Sequence, residues 1–271
     1  MKLAFAGGDL RMIAAAELFK RDGADVVCAF LGEDDIQPEA LRDRDAIILP
    51  LPYEKGGRLN SPMSDRAIGI GEILAAGNAD TLFIGGGLPQ QNGSFIDYAK
   101  REDFLIANAV PTAEGAIEIA LRESNITLNG ASVLVLGFGR IGKYLSGLLS
   151  SFNAKVTVAA RKSEALTLAR ISGYRTAGIS DMHAAISEAD IIFNTVPAIV
   201  FGESECSFVK NRIPFIELAS SPGGIDEISA KNHGVNLIKA PALPGKTASL
   251  TAGRIVYDVV LSILRERGLC K

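Results

Sequence analysis

Gly137, Gly139 and Gly142 fall in G-x-G-x-x-G spacing within the run Val133-Leu134-Val135-Leu136-Gly137-Phe138-Gly139-Arg140-Ile141-Gly142. In that spacing each glycine has a mechanical task at the pyrophosphate of a dinucleotide. Gly137 permits the tight turn off a strand, and Gly139 has no side chain to hold the phosphates away from the backbone. Gly142 lets the next helix pack close, so that its N-terminal N–H groups and dipole face the phosphates. Phe138, Arg140 and Ile141 belong to the same cofactor loop. An NAD site places Asp or Glu about 20 residues beyond the glycines, on the ribose 2′-hydroxyl. This chain has Ala159-Ala160-Arg161-Lys162-Ser163 there. A carboxylate would repel a 2′-phosphate, whereas Arg161 can pair with one through its planar fork and Ser163 can add a hydroxyl. The predicted cofactor is NADP(H), held at the far end by Thr195, Val196 and Pro197.

The rest of the chain narrows the chemistry. It has only two histidines, His183 and His233, and neither falls at the carboxyl end of a predicted strand, where a base for alcohol oxidation belongs. No Ser-His-Asp arrangement, phosphate loop of the P-loop type, paired-carboxylate motif or metal-ligand spacing stands out. The residues therefore favour a hydride transfer whose proton leaves easily, and oxidation of a dihydropyridine to an aromatic ring fits, since aromatisation drives it. Glu114, Ser220 and Lys246 are the catalytic candidates. Gly8, Asp9, Arg11, Thr112 and Asn194, with Ser220 and Lys246 again, are the candidates for substrate contact. Arg11 and Lys246 could neutralise a dianionic substrate. Glu114 reads either as a base or as a helix-start acid complementing the dipole.

These residues must be placed by regular elements. Strands at 133–136 and 155–159 flank a helix over 140–152, and further strands at 174–177, 191–193, 214–218 and 235–239 complete a Rossmann unit of six parallel strands. Before it, strands at 2–6, 24–30, 46–50, 81–84 and 104–107 alternate with helices at 10–21 and 65–76, which predicts a second doubly wound parallel sheet. Its strands end in Gly7-Gly8-Asp9, Pro50-Leu51-Pro52-Tyr53, Gly85-Gly86-Gly87-Leu88-Pro89-Gln90-Gln91-Asn92 and Asn108-Ala109-Val110-Pro111. Such small, glycine-rich turns present backbone N–H groups to a carboxylate, so this edge reads as the substrate wall. A helix is expected from Pro111 to about Glu123, and a long one over 247–266. The expected fold class is α/β, with two doubly wound parallel-sheet domains, the second a Rossmann dinucleotide-binding domain, and a cleft between them. The domains are expected at 1–112, completed by 247–271, and at 113–246.

At 271 residues the chain has room for two domains. A net charge of −3 without long single-sign runs carries no electrostatic footprint for nucleic acid. No apolar run approaches the roughly 20 residues that span a bilayer, and the apolar start meets Gly7-Gly8-Asp9 too soon for a signal peptide. Cys28, Cys206 and Cys270 are far apart and odd in number, against a disulfide framework or a zinc site. The chain reads as soluble and cytoplasmic, with no metal, nucleic-acid or membrane partner, and homo-oligomer formation stays open.

Several runs together resemble the dipicolinate synthase A subunit family. They are Ala6-Gly7-Gly8-Asp9-Leu10-Arg11, Asn108-Ala109-Val110-Pro111-Thr112-Ala113-Glu114-Gly115, the glycine loop, Ala160-Arg161 and Asn194-Thr195-Val196-Pro197. Leu218-Ala219-Ser220-Ser221-Pro222-Gly223-Gly224, Ala240-Pro241-Ala242-Leu243-Pro244-Gly245-Lys246 and Thr251-Ala252-Gly253 complete the set. The segment between Lys246 and Thr251 is shorter than the family's usual form. The resemblance implies NADP-dependent oxidation of dihydrodipicolinate to pyridine-2,6-dicarboxylate in the mother cell of a sporulating bacterium. It also implies a partner, the flavoprotein-like B subunit. Two other readings stay open from the residues: an NADP-dependent dehydrogenase of another small carboxylate, or a non-catalytic NADP-binding component of a flavoprotein complex.

Overall fold

A computed structural model of the chain describes residues 1–32, 38–89 and 93–270. The chain divides into two compact units, Met1–Asn108 with Pro244–Lys271, and Ala109–Leu243.

The first unit opens with strand β1 (Lys2–Ala6), whose Leu3 to Ala6 are all buried. Continuous burial is the mark of a parallel strand covered on both faces. Helix α1 (Leu10–Arg21) and strand β2 (Asp25–Ala29) follow, then β3 (Ala46–Ile48) and a hairpin of β4 (Glu54–Lys55) and β5 (Arg58–Leu59). Next come α2 (Ile70–Ala76), β6 (Leu82–Gly85), β7 (Phe95–Asp97) and the long helix α3 (Glu102–Ser124). The sheet order is β2-β1-β3-β6-β7, parallel throughout. One face packs Leu3, Phe5 and Ile48 against Phe19 of α1 and Val256, Tyr257, Val260 and Ile263 of the C-terminal helix. The other packs Ala4, Ile47 and Leu49 against Phe30, Ile73 and Phe83.

The second unit contains β8 (Ser132–Leu136), α4 (Arg140–Ser151), β9 (Lys155–Ala160), α5 (Ser163–Ile171) and β10 (Arg175–Gly178). It continues with α6 (His183–Glu188), β11 (Ile191–Asn194), α7 (Glu203–Cys206), β12 (Pro214–Glu217), α8 (Glu227–Asn232) and β13 (Asn236–Lys239). Its order, β10-β9-β8-β11-β12-β13, is the six-stranded Rossmann arrangement with its switch point between β8 and β11. Helices α9 (Leu243–Thr247) and α10 (Ser249–Glu266) lead back into the first unit.

Three local expectations are corrected. Residues 104–107 are helical rather than a fifth strand, and the fifth strand is β7. Pro111 lies inside α3 instead of opening a helix, so the Asn108–Pro111 turn of the predicted substrate wall does not exist. Proline removes one backbone donor there, and the buried side chains on either side, Phe104 in one core and Ala113, Ala116 and Ile117 in another, carry the helix through it. The helix expected over 247–266 is interrupted at Ala248, which separates α9 from α10. By length and composition α3 could cross a membrane, but 56% of its most apolar window is buried within the protein. Gln90, Gln91 and Asn92 lie outside the described residues.

Candidate dinucleotide site

At the end of β8 the chain turns through Gly137, whose N–H donates to Ala159 O at 2.8 Å across the neighbouring strand. Its φ of +92° is a conformation that favours glycine. A Cβ at Gly137 would also lie 2.5 Å from Thr195 Oγ1. At Gly142, in the first turn of α4, a Cβ would collide with the Gly137 carbonyl oxygen, so strand and helix pack at backbone distance. Gly139 differs, because a Cβ there would meet nothing within 4 Å. Packing does not demand a glycine at that position, whereas an approaching phosphate does. Gly139 is the N-cap of α4 and no side chain caps it, so the first amides of that helix are left for an anion.

The side chains around the loop divide between core and surface. Phe138 is buried, its ring edge-on to Tyr174 at 5.9 Å, so only its backbone serves the loop. Ile141 is half-buried and Arg140 exposed. Ala160 closes β9, and Arg161, Lys162 and Ser163 follow, all three exposed. The side chains of Arg161 and Lys162 have no hydrogen-bond or ion-pair partner among the described residues. Across the switch point Thr195 is tied to the end of β8, its N–H and its Oγ1 both donating to Leu136 O at 2.9 and 2.8 Å. Val196 is half-buried beside it and Pro197 is exposed.

Asn194 is placed differently from the expectation of a substrate contact. It is completely buried, and its carboxamide bonds to Glu217 and Val196 rather than facing a ligand. Ser220 is exposed on the loop after β12, where its carbonyl accepts from Gly223 N at 2.9 Å. Thr112 is buried within α3 and Glu114 exposed on it, a dozen residues into the helix, so Glu114 is not a helix-start acid. The two histidines both grip α7. His183 meets Glu205 at 3.4 Å and stacks on Phe208, and His233 meets Glu203 at 2.7 Å.

The candidates of the first unit gather at the start of α1. Asp9 is the N-cap, accepting from Arg11 N at 3.1 Å, and its carboxylate takes Arg11 Nε and Nη2 at 2.8 and 2.9 Å. Burial pushes the Asp9 carboxyl up, but the hydrogen bonds and charge of Arg11 outweigh it and hold the group below its ordinary range. The Arg11 side chain is only 13% exposed, and its Nη1 has no partner among the described residues. Gly8 turns the chain into the helix, its N–H donating to Asn60 O at 2.8 Å. Gly245 in α9 packs against the pair, a Cβ there falling 2.5 Å from Asp9 Oδ2, and exposed Lys246 follows it. A guanidinium fixed on one edge and free on the other, with a lysine next to its packing partner, suits a carboxylate.

Comparison with known proteins points to the dipicolinate synthase A subunits. Residues 2–104 match the N-terminal domain of the dipicolinate synthase A subunit, and 111–204 match the D-isomer specific 2-hydroxyacid dehydrogenase, NAD binding domain. The dipicolinate synthase A subunit of Bacillus subtilis is 26% identical over 287 aligned positions, covering 98% of this chain and 96% of that protein. The crystal structure of its Bacillus halodurans counterpart superposes with a TM-score of 0.86 at 28% identity, covering 97% of each chain. The Bacillus subtilis structure gives 0.85 at 26% identity, covering 98% and 96%. The chain is similar to the dipicolinate synthase A subunits over nearly its whole length. The second unit is a nicotinamide-dinucleotide-binding domain of dehydrogenase type, and the residues around Gly139 fit such a cofactor. Glu217, bonded to Asn194, is the buried carboxylate that sequence reasoning missed. Its signal is a carboxylate closing the apolar run Pro214-Phe215-Ile216.

Proposed function

We propose that this chain binds NADP(H) and oxidises dihydrodipicolinate to pyridine-2,6-dicarboxylate, together with a flavoprotein-like B subunit, in the cytoplasm of the mother cell of a sporulating bacterium. The observation that carries the cofactor choice is the end of β9. The side chains of Arg161 and Lys162 stand exposed and unpartnered among the described residues, beside Ser163, and no acid occupies the strand end. A 2′-phosphate supplies the counter-charge for Arg161. The substrate follows from the family and from the free edge of Arg11 with Lys246, which suit a dicarboxylate.

When bound, NADP+ supplies a hydride acceptor. The chain's own residues do the rest. The uncapped α4 amides and Gly139 hold the pyrophosphate, and Arg161 with Ser163 holds the 2′-phosphate. Asp9 keeps Arg11 oriented for a carboxylate of the substrate. Loss of the hydride from a ring carbon and of a proton from the ring yields the aromatic product, so the proton needs only a modest acceptor. We assign the Ser220 hydroxyl, on the loop after β12, to hand that proton to solvent water, while Lys246 on α9, as an ammonium, pairs with a substrate carboxylate.

Titration of the purified chain with NADPH and NADH, with and without pyridine-2,6-dicarboxylate, tests the reading. We expect NADPH to bind more tightly, dicarboxylate to tighten it further, and Arg161→Asp to abolish the preference. Tighter NADH binding would overturn the cofactor assignment, and indifference to the dicarboxylate would overturn the substrate. Turnover of dihydrodipicolinate with and without the B subunit reads which chain carries the redox step.

A further inference from the structure

Asn194 ends β11 and Glu217 ends β12, and the two are direct cross-strand partners. Asn194 is completely buried and Glu217 is 7% exposed, at the end of strands otherwise made of Ile, Phe and Pro. Buried polar groups of this kind are costly unless every one is bonded. Here they are. Glu217 Oε1 accepts from Asn194 Nδ2 at 2.7 Å and from Ala219 N at 2.9 Å, and Oε2 accepts from Gly224 N at 2.9 Å. Asn194 uses the rest of its carboxamide on Val196, donating to its carbonyl at 3.0 Å and accepting from its N–H at 3.1 Å. A Cβ on Gly224 would collide with the Asn194 amide, so the fit leaves no slack.

The pair reaches into the loops that leave β11 and β12. Val196 belongs to the 195–197 loop, which lies against Gly137 through Thr195. Ala219 and Gly224 bracket the 219–224 loop, which with Glu217 and Pro241 lines a cleft of about 210 Å³. In this strand order each half of the sheet receives one mononucleotide, the half that carries the 2′-phosphate lying on the side of β9 and the other on the side of β11 and β12. We propose that Asn194 and Glu217 are positioning residues for the nicotinamide half of the dinucleotide. They act through the 195–197 and 219–224 loops and touch no ligand themselves. The inference rests on the dinucleotide reading above and adds the residues that align its reactive end.

Calorimetric titration of the full chain with NADPH, and separately with adenosine 2′,5′-bisphosphate, distinguishes the two ends. Glu217→Gln places an amide among three N–H donors, so one donor must face an NH2 group. We expect NADPH to bind about tenfold more weakly, while adenosine 2′,5′-bisphosphate changes by less than about twofold. Asn194→Ala is expected to give the same split, and thermal melting of each variant reports whether it folds. Equal weakening of both ligands, or no change in either, would overturn the proposal. So would unfolding of both variants at the assay temperature, since the pair would then hold the fold and not the loops. A wild-type chain that prefers NADH defeats the NADP(H) assignment alone. The split is then read with NADH against 5′-AMP.

Discussion

Two glycines of one motif make opposite demands at the scale of the residue. Gly139→Ala adds a methyl where nothing stands within 4 Å, and its φ of −82° is open to alanine. The variant is expected to melt within a few degrees of wild type while losing about tenfold or more in NADPH affinity. Gly142→Ala drives a methyl into the Gly137 carbonyl, and overpacking of this kind costs about 1–3 kcal/mol. Melting curves and cofactor titrations on the two variants check both outcomes. Asp9 gives a pH dependence. Its folded carboxyl titrates below its unfolded value, so the stabilisation is present above about pH 4 and is lost as pH falls through the folded pKa. Asp9→Asn should therefore be less stable than wild type at pH 6, by roughly 1 kcal/mol for the charge lost from its pair with Arg11, and the gap should close in acid denaturation below about pH 4. The glycine loop of the candidate site could be read from residue types, because the turn at Gly137 and the close helix packing at Gly142 are local backbone demands. Glu217 could not, because its role is set by Asn194, which lies 23 positions away in sequence.

Elements were readable where strand and helix periods are long and buried, as in β1, β8, α1 and α4. They were misread where a short apolar run had two solutions. Residues 104–107 have the composition of a strand, but Phe104 and Leu105 face one core from a helix that runs on to Ser124. Pro111 reads as a helix start because it suits a first turn, yet packing of Ala113, Ala116 and Ile117 outweighs its missing donor. Helices α1 and α10 meet at backbone distance. A Cβ on Gly253 would stand 2.5 Å from Ala14 Cβ and 2.8 Å from Arg11 O, and neither neighbour can rotate away. Gly253→Ala is expected to lower stability by about 1–3 kcal/mol and to leave affinity for NADPH in the second unit unchanged. Denaturant unfolding alongside cofactor titration separates these effects.

For the whole molecule, the units differ in how they are assembled from the chain. The second unit is continuous, and both of its cores lie within residues 109–243. A fragment of residues 102–243, which keeps α3 whole, is expected to fold and to bind NADPH within a few-fold of the full chain, as circular dichroism and titration would show. A fragment of residues 1–108 is expected to remain unfolded, because it lacks Val256, Tyr257, Val260, Ile263 and Leu264 of α10. The loss of five buried side chains exceeds the margin of a typical domain. That discontinuity also sets an order in time. Domains generally form from the N-terminus as the ribosome extends the chain, at about 5–20 residues per second. Here the first sheet is made first and sealed last, since α10 emerges roughly 150 residues, or about 8–30 s, after Asn108. Through that interval, while the second unit is still being made, the first sheet carries an apolar face waiting for its cover, the stage at which a chaperone has most to shield.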